Sequence, residues 1–455
     1  MRFPRGHRWW RTAAAGLLLS ALLLCGGMHW VGRHLSHAER MVADRQWGAA
    51  RQSLAFYLRF YPTDDDARLL MARAFISDNS LAGEGKVHDA LAQLGRISKT
   101  SARSAEARLQ EGRLQFLLLW QPGRAERSFL ECLKLDPARL EARILLWKLF
   151  ESTNRWDRGE DHFWFIYERD PASDRPVLLR DWYLSEFSPG SATADLDRRM
   201  GLLEESEQPS LESEHRRLEA FVAADPGWPA GYAILAGWFH RQGGIPQTVE
   251  QLDRAELLPE GASDPIVIAE RIATSIELGK FDDARQAFDR WPEPHDGYLY
   301  WKSQGLIADQ VLRHDRQAVA AFEQAVATTP GKSDWLIQHR LAQCLTRLGD
   351  RERASVVRQH SKEVESLMEP SVHQQLRRTL SVPNDPKTGE EMADFYRRLG
   401  RSRESAAWLR LTGVREPAKV STSVNLQLNP DHNAHTSSDT LSAESSRQNL
   451  EPPSR

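Results

Sequence analysis

Apolar and small positions along the chain follow one template that predicts pairs of antiparallel helices. A large apolar residue lies eight positions before a proline, and a small residue lies four positions before that, on one helix face. Two consecutive copies place their prolines, Pro137 and Pro171, 34 residues apart. Because a proline inside a helix removes a backbone hydrogen bond, each template proline is expected to end a pair. The copies are Ala50, Leu54 and Pro62; Ala125, Phe129 and Pro137; Gly159, Phe163 and Pro171; and Ala318, Phe322 and Pro330.

Three further copies are marked by the turn between the two helices. A glycine there is followed five residues later by a small residue. Glycine can end the first helix in a left-handed conformation, and the small residue lets the second helix lie close against the first. These copies are Gly279 with Ala284, Gly349 with Ala354, and Gly400 with Ser405.

With this template the chain resembles the tetratricopeptide repeat (TPR) family, whose unit is two antiparallel helices with small residues where they cross. The resemblance implies an all-α fold, a right-handed superhelical solenoid of antiparallel helix pairs with a concave groove, because only neighbouring pairs cover each apolar face. We expect about eight to ten pairs. The predicted organisation is TPR repeats over 36–171, an irregular helical pair over 172–210, and TPR or TPR-like repeats over 211–415.

The irregular region interrupts the period, since 55 residues separate Pro171 from the next template proline, Pro226. It still predicts two helices, with Ser188, Pro189 and Gly190 forming the turn. We interpret it as an atypical helical pair, and a small domain boundary is the alternative.

An uncharged apolar stretch at the amino terminus predicts one transmembrane helix. Residues 12–32 are long enough to cross about 30 Å of hydrocarbon as a helix. The basic segment 1–11 precedes them, and tryptophans flank them at the headgroup levels. The repeats are therefore expected on the periplasmic or exoplasmic side, and residues 1–11 in the cytoplasm. A cleaved signal peptide with its apolar core at 13–24 is the alternative; no Ala-x-Ala site follows it, and Leu24 argues against a lipoprotein signal at Cys25.

Composition limits the function. The 455 residues are 41% hydrophobic and 27% charged, as in an ordinary globular protein. A net charge of −3 argues against a nucleic-acid partner, which needs a basic excess. Three cysteines are too few and too scattered for a disulfide framework or a zinc cluster. Residues 416–455 are polar and lack aromatic side chains, which predicts a disordered tail.

Several polar side chains invite a chemical role, and packing or capping explains each of them better. Cys132 and Cys344 fall on core-facing helix positions and lack the basic, partly exposed setting of a reactive thiol. His162 has one acidic neighbour, Asp161, and lacks the further ligands that a metal needs. The three aspartates at 64–66 open a helix, where carboxylates favour the positive end of the helix dipole.

No nucleotide-binding loop, nucleophile elbow or zinc-protease motif occurs in the sequence. In the irregular region, Asp181 and Glu186 are the acid pair that a catalytic site would use, although their spacing supports this weakly. Trp47 and Trp156 precede the crossing residue by three positions in two repeats and are predicted to pack. We therefore assign no catalytic, cofactor-binding or metal-binding residue.

The predicted function is that of a non-catalytic, membrane-anchored scaffold that binds protein or peptide partners in its groove. In layout the chain resembles bacterial envelope proteins in which one amino-terminal helix carries a TPR domain that assists assembly or maturation of exported proteins. An accessory or regulatory subunit of a separately encoded enzyme is the alternative, and a self-associating array is a third hypothesis.

Overall fold

Helices joined by short turns form the whole of the described structure. The computed structural model describes residues 30–81 and 83–411, and it contains no β-strand within those ranges. The predicted all-α fold is confirmed. The helices are α1 (30–43), α2 (Trp47–Phe60), α3 (Asp65–Ile76), α4 (Gly85–Leu94), α5 (Ser104–Leu117), α6 (Pro122–Leu135), α7 (Leu140–Ser152), α8 (Glu160–Arg169), α9 (Arg175–Phe187), α10 (Pro189–Arg199), α11 (Leu211–Ala224), α12 (Pro229–Arg241), α13 (Ile245–Glu256), α14 (Pro265–Glu277), α15 (Phe281–Phe288), α16 (Tyr298–Leu306), α17 (Asp315–Ala327), α18 (Thr329–Ser333), α19 (Trp335–Arg347), α20 (Arg351–Leu367), α21 (Pro370–Thr379), α22 (Pro386–Arg398) and α23 (Ser402–Leu411).

Consecutive helices pack in pairs, and ten pairs occur in the described part of the chain, within the number expected. Three helices, α11, α18 and α21, stand between pairs, and a π-helical segment, Ile307–Val311, extends α16. The pairs are α1/α2, α3/α4, α5/α6, α7/α8, α9/α10, α12/α13, α14/α15, α16/α17, α19/α20 and α22/α23. The right hand of the superhelix stays a prediction.

The template residues lie where the helices of a pair cross. Ala125 and Phe129 of α6 are fully buried, as the template predicts. The structure adds a residue that the template lacked: Gly112 of α5 lies directly under the Phe129 ring, and a Cβ atom there would occupy the space of that ring. Gly305 of α16 lies in the same way under Phe322 of α17. The large aromatic ring of the second helix therefore requires glycine in the first.

The turn glycines adopt the predicted conformation. Gly279, Gly349 and Gly400 have φ angles of 70°, 83° and 75°, in the left-handed region that favours glycine. The pair α16/α17 ends at Ala327, and the template proline Pro330 follows it in the first turn of the short helix α18. The side chain of Thr328 caps that turn. Proline is tolerated there because the N–H groups of the first helical turn have no intrahelical partner.

The irregular region contains the two helices predicted from the sequence, α9 and α10, joined at Ser188. Both belong to the same compact unit as the repeats on either side of them.

The predicted membrane segment falls almost wholly outside the described residues. Its last three residues, 30–32, begin α1. Within 30–81 and 83–411, no helix combines the length and the apolar character needed to cross a bilayer. The predicted basic segment 1–11 and the tail 416–455 also lie outside the described residues.

The carboxyl-terminal helices return to the middle of the array, which corrects the expectation that each pair contacts only its neighbours. One core cluster contains side chains of α7, α8 and α9 together with side chains of α20 to α23. It includes the fully buried Trp182 of α9 and Trp408 of α23. The array therefore closes on itself from α8 and α9 to α22 and α23.

A buried ion pair lies at the centre of this closure. Arg401, at the start of α23, contacts Glu186 of α9, and its Nε atom donates to Glu404 at 2.8 Å. Ser333 donates to the other oxygen of Glu186 at 2.8 Å. Burial raises the pKa of the Glu186 carboxyl, and the Arg401 charge opposes that rise. Arg401 therefore compensates two buried carboxylates, that of Glu404 three residues away and that of Glu186 at a distance of 215 residues in the sequence.

Replacing Arg401 with methionine should leave Glu186 and Glu404 buried without a counter-charge. We expect the free energy of unfolding to fall by about 3–5 kcal/mol at pH 7, measured by urea denaturation. Burial raises the pKa of the Glu186 carboxyl above the unfolded value of about 4.3, so the folded variant binds more protons than the unfolded chain. The difference in unfolding free energy between the variant and the unsubstituted protein should therefore shrink as the pH is lowered towards about 5.

The matched control is Arg403→Met, two residues along the same helix. Arg403 also reaches across the closure, to Glu168 at 3.0 Å, but both side chains are more than half exposed. Its replacement should cost no more than about 1 kcal/mol. Equal losses for the two variants would contradict a special role for the buried pair.

Candidate functional site

An open cleft of about 1100 Å³ lies along the first three helix pairs. Its walls are the first helices of those pairs, α1, α3 and α5, with the end of α10 on one side. The sequence template predicted repeats over 36–171 but none of the side chains that face the cleft. The lining residues are Leu35, Glu39, Asp64, Asp66, Leu69, Leu70, Ala72, Arg73, Ile76, Ser77, Leu94, Arg103, Glu106, Gln110, Arg113, Leu114, Leu117, Leu118 and Arg199.

Helical spacing explains why these side chains share one surface. On α3 the lining positions include 66, 69, 73 and 76, and on α5 they include 106, 110, 113 and 117. Steps of three and four residues keep side chains on one face of a helix. Each inner helix thus buries one face in its own pair and presents a second face to the cleft.

The floor of the cleft is apolar. Leu69 and Leu70 of α3 face Leu114 and Leu117 of α5 across it. Leu118, which follows α5 directly, is 43% exposed. An apolar strip in a concave surface gains free energy when a partner covers it, at about 25 cal/mol per Å² of area removed from water.

Charges surround this floor, with four arginines and four acids among the lining residues. Some are paired: Arg103 contacts Asp66 at 2.6 Å, and Arg113 contacts Glu141 at 3.0 Å. The guanidinium groups of Arg73 and Arg199 have no ion-pair or hydrogen-bond partner among the described residues. Both side chains are exposed.

The lining contains one hydroxyl side chain, Ser77, and neither histidine nor cysteine. Such a surface suits recognition of a partner by shape, apolar contact and ion pairs.

The turn from α7 to α8, residues 154–160, contacts helices that are far apart in the sequence. Asn154 donates to Glu214 of α11 at 2.6 Å, and the Thr329 hydroxyl donates to Glu160 at 3.0 Å. The α7–α8 turn therefore joins its own pair to α11 and to the start of α18.

One cationic and one aromatic side chain, Arg155 and Trp156, hold this turn in place. Arg155 is buried, pairs with Glu126 of α6 at 2.8 Å and lies over the Trp228 ring. Trp156 meets Trp182 edge to face, with ring centroids 5.6 Å apart. The prediction that Trp156 has a packing role is confirmed, and Trp47 likewise packs against a small core cluster.

The two described cysteines are buried, as predicted. Burial raises the pKa of the Cys132 thiol to about 11 and that of Cys344 to about 12. Cys344 also has polar contacts that the sequence did not indicate, since Asp309 of the π-helical segment accepts from its thiol at 3.5 Å.

Asp309, Asp315 and Cys344 come close enough together to hold a metal ion. Arg347 takes the position of the cation: it contacts Asp309, and it reaches Asp315 at 2.7 Å and the Cys344 sulfur at 3.1 Å. Arg340 adds a second positive charge, 3.5 Å from Asp309. This cluster is therefore an internal ion-pair network.

The remaining candidate residues have structural surroundings. His162 lies beside Arg143, at 3.3 Å, and burial lowers its pKa to about 4. Asp64 caps α3 by accepting from the Ala67 N–H group, as predicted for the aspartate run. Asp181 pairs with its neighbour Arg180, whereas Glu186 is part of the buried closure, so the structure does not bring the two acids into one site.

Comparison with known proteins finds similarity in fold alone. No protein family matches the sequence, and no curated protein is significantly similar to it. A chain of the APC/C hetero-tetramer Cut9–Hcn1 is 12% identical, with a TM-score of 0.33, over 85% of this chain and 74% of that one. The P58(IPK) TPR domain is 17% identical, with a TM-score of 0.25, over 84% and 97% of the two chains. Yeast Tom70 is 12% identical, with a TM-score of 0.28, over 76% and 89%.

The crossing residues and left-handed turns described above have the arrangement that the TPR resemblance implies, and these solved structures are TPR-repeat proteins. The chain is a helical-repeat solenoid similar to TPR proteins. The identities and TM-scores are low, so this similarity assigns no partner and no activity to the solenoid. The prediction that nucleic acid is not a partner stays a prediction.

The buried thiols of the solenoid should not react in the folded protein. In a Cys25→Ser variant, Cys132 and Cys344 should consume no Ellman's reagent under native conditions, because burial keeps both groups as neutral thiols. Both should react fully in guanidinium chloride. Rapid native reaction of either thiol would show that its surroundings are open.

Proposed function

We propose that this solenoid is a non-catalytic interaction scaffold that binds a protein segment in the cleft of α1, α3 and α5. The proposal rests on the contrast between the first three helix pairs and the region around α8 and α9. Residues 154–160 are hydrogen-bonded to Glu214 of α11 and to Thr329, whereas the cleft is open and has leucines in its lining. A partner would therefore meet exposed apolar surface in the first three pairs.

The size and chemistry of the cleft favour a peptide segment as its occupant. Its volume of about 1100 Å³ exceeds the roughly 300–1,000 Å³ typical of small-molecule pockets. Two leucine-rich helix faces suit the apolar side of an amphipathic helix. The free guanidinium groups of Arg73 and Arg199 favour a segment with acidic residues beside its apolar ones.

The proposal includes the membrane anchor at residues 12–32 and a role in assembling an envelope complex, with the repeats on the periplasmic or exoplasmic side. The uncharged length of that segment and the four arginines before it support this arrangement. Anchoring would concentrate the cleft near the bilayer, where exported partners emerge. The identity of the partner would then define the pathway.

A photo-crosslinking amino acid placed at Leu118 tests the cleft. Leu118 is 43% exposed and lines the cleft, whereas Leu257 is 86% exposed and lies outside it. In cells, the probe at 118 should give one discrete adduct, and the matched probe at 257 should give none. Adding Arg73→Glu should reduce the 118 adduct by about tenfold, because a repelled carboxylate costs roughly 1.4 kcal/mol or more.

The same adduct from both positions, or an adduct that Arg73→Glu leaves unchanged, would contradict binding in the cleft.

Alkaline carbonate extraction tests the anchor. The full-length protein should stay in the membrane pellet, because an apolar helix of this length is not released by removing ionic contacts. Its intact mass should retain residues 1–32. A mature protein that begins after residue 24, and that appears in the carbonate supernatant, would instead establish the signal-peptide alternative.

A further inference from the structure

Two large aromatic side chains are exposed at one end of the first helix pair. Trp30, at the start of α1, is 54% exposed, and Phe60, the last residue of α2, is 57% exposed. Because α1 and α2 are antiparallel, the start of one lies beside the end of the other. This is the end of the pair at which residues 12–29 join it.

Aromatic contacts hold both side chains in place. The rings of Trp30 and Phe60 each pack against Phe56, with centroids 5.3 Å apart in both cases. The His34 ring packs at a tilt against the same Phe56 ring, with centroids 4.5 Å apart. The four rings form one cluster, which we call the terminal aromatic cluster, and its outer edge faces away from the protein core.

The same pair is basic. Residues 30–60 contain five arginines and two acids, a net charge of +3. Arg33 and Arg59 lie within one turn of Trp30 and Phe60, are exposed, and have no ion-pair partner among the described residues. Nearby acids are engaged elsewhere: Asp64 accepts from the Tyr57 hydroxyl, and Asp66 pairs with Arg103.

We propose that the terminal aromatic cluster, with Arg33 and Arg59, rests on the surface of an anionic bilayer. The proposal depends on the anchoring role proposed above and specifies how the first helix pair meets the membrane. Aromatic side chains prefer the headgroup region, and arginines beside it attract anionic lipids. The predicted anchor joins the pair directly at Trp30, so the chain itself brings this end to the bilayer. A solenoid end that faced water would instead need a polar cap.

The test uses the full chain with Cys25→Ser in vesicles of phosphatidylcholine containing about one third phosphatidylglycerol. A spin label is attached at Phe60→Cys, and a matched label at Leu257→Cys serves as the aqueous control. At position 60 we expect oxygen to relax the label more than a water-soluble nickel chelate does, with the reverse at 257. Replacing Arg33 and Arg59 with glutamate should shift the label at 60 towards the aqueous ratio.

Three results would overturn the proposal, and each identifies a different cause. If carbonate releases the protein, the anchor itself has failed. If the protein stays in the vesicles but labels 60 and 257 are equally open to nickel, the anchor holds and the cluster does not touch lipid. If both reagents fail to reach the label at 60, a protein partner or a second copy covers the cluster.

Discussion

The buried ion pair between Arg401 and Glu186 joins the carboxyl-terminal helices of the array to its middle. A guanidinium group and two carboxylates leave water at this point, and their desolvation is offset only where the geometry is good and the remaining polar atoms are satisfied. The hydroxyl of Ser333 and the rings of Trp156 and Tyr396 complete the surroundings of the pair. The pair can form only if α23 returns to α9, so it selects a closed arrangement over an open one.

Closure has a consequence for the location of binding. Where α22 and α23 pack against α8 and α9, the α7–α8 turn contacts both α9, through Trp156 and Trp182, and Thr329, through Glu160. The first two pairs are held chiefly by their neighbours, as in a solenoid. The third pair also contacts the closed part, because Glu126 of α6 pairs with Arg155 and Arg124 of α6 pairs with Asp225. The division between a closed body and an open cleft thus follows from the packing of α20 to α23 against α7 to α9, which includes the buried ion pair.

Local features of the fold could be predicted from the sequence because their causes lie within one repeat. Gly279 needs a left-handed turn, and Ala125 needs room at a crossing, whatever the rest of the chain does. Gly112 under Phe129 is equally local, and a comparison of the first helices of two repeats would have found it. The closure is different, because Glu186 and Arg401 look like ordinary surface residues until the helices between them have been placed.

The cleft was also beyond sequence reasoning, for a related reason. Its leucines have the same helical spacing as core leucines. The sequence alone therefore does not distinguish the partly exposed Leu117 from the buried Leu114. The one signal in the sequence was the apolar run at 116–119, which exceeds what a single buried helix face requires.

Helix α1 connects the two proposed surfaces. Trp30 lies at its start, whereas Leu35 and Glu39 further along the same helix line the cleft. At 1.5 Å per residue these two side chains lie about 8 and 14 Å along the helix axis from Trp30. With Trp30 at the bilayer surface, as proposed, the near end of the cleft lies within one or two helical turns of the headgroups. A partner bound there would have to present its apolar segment close to the membrane, which favours an exported or membrane-attached protein over a freely diffusing one.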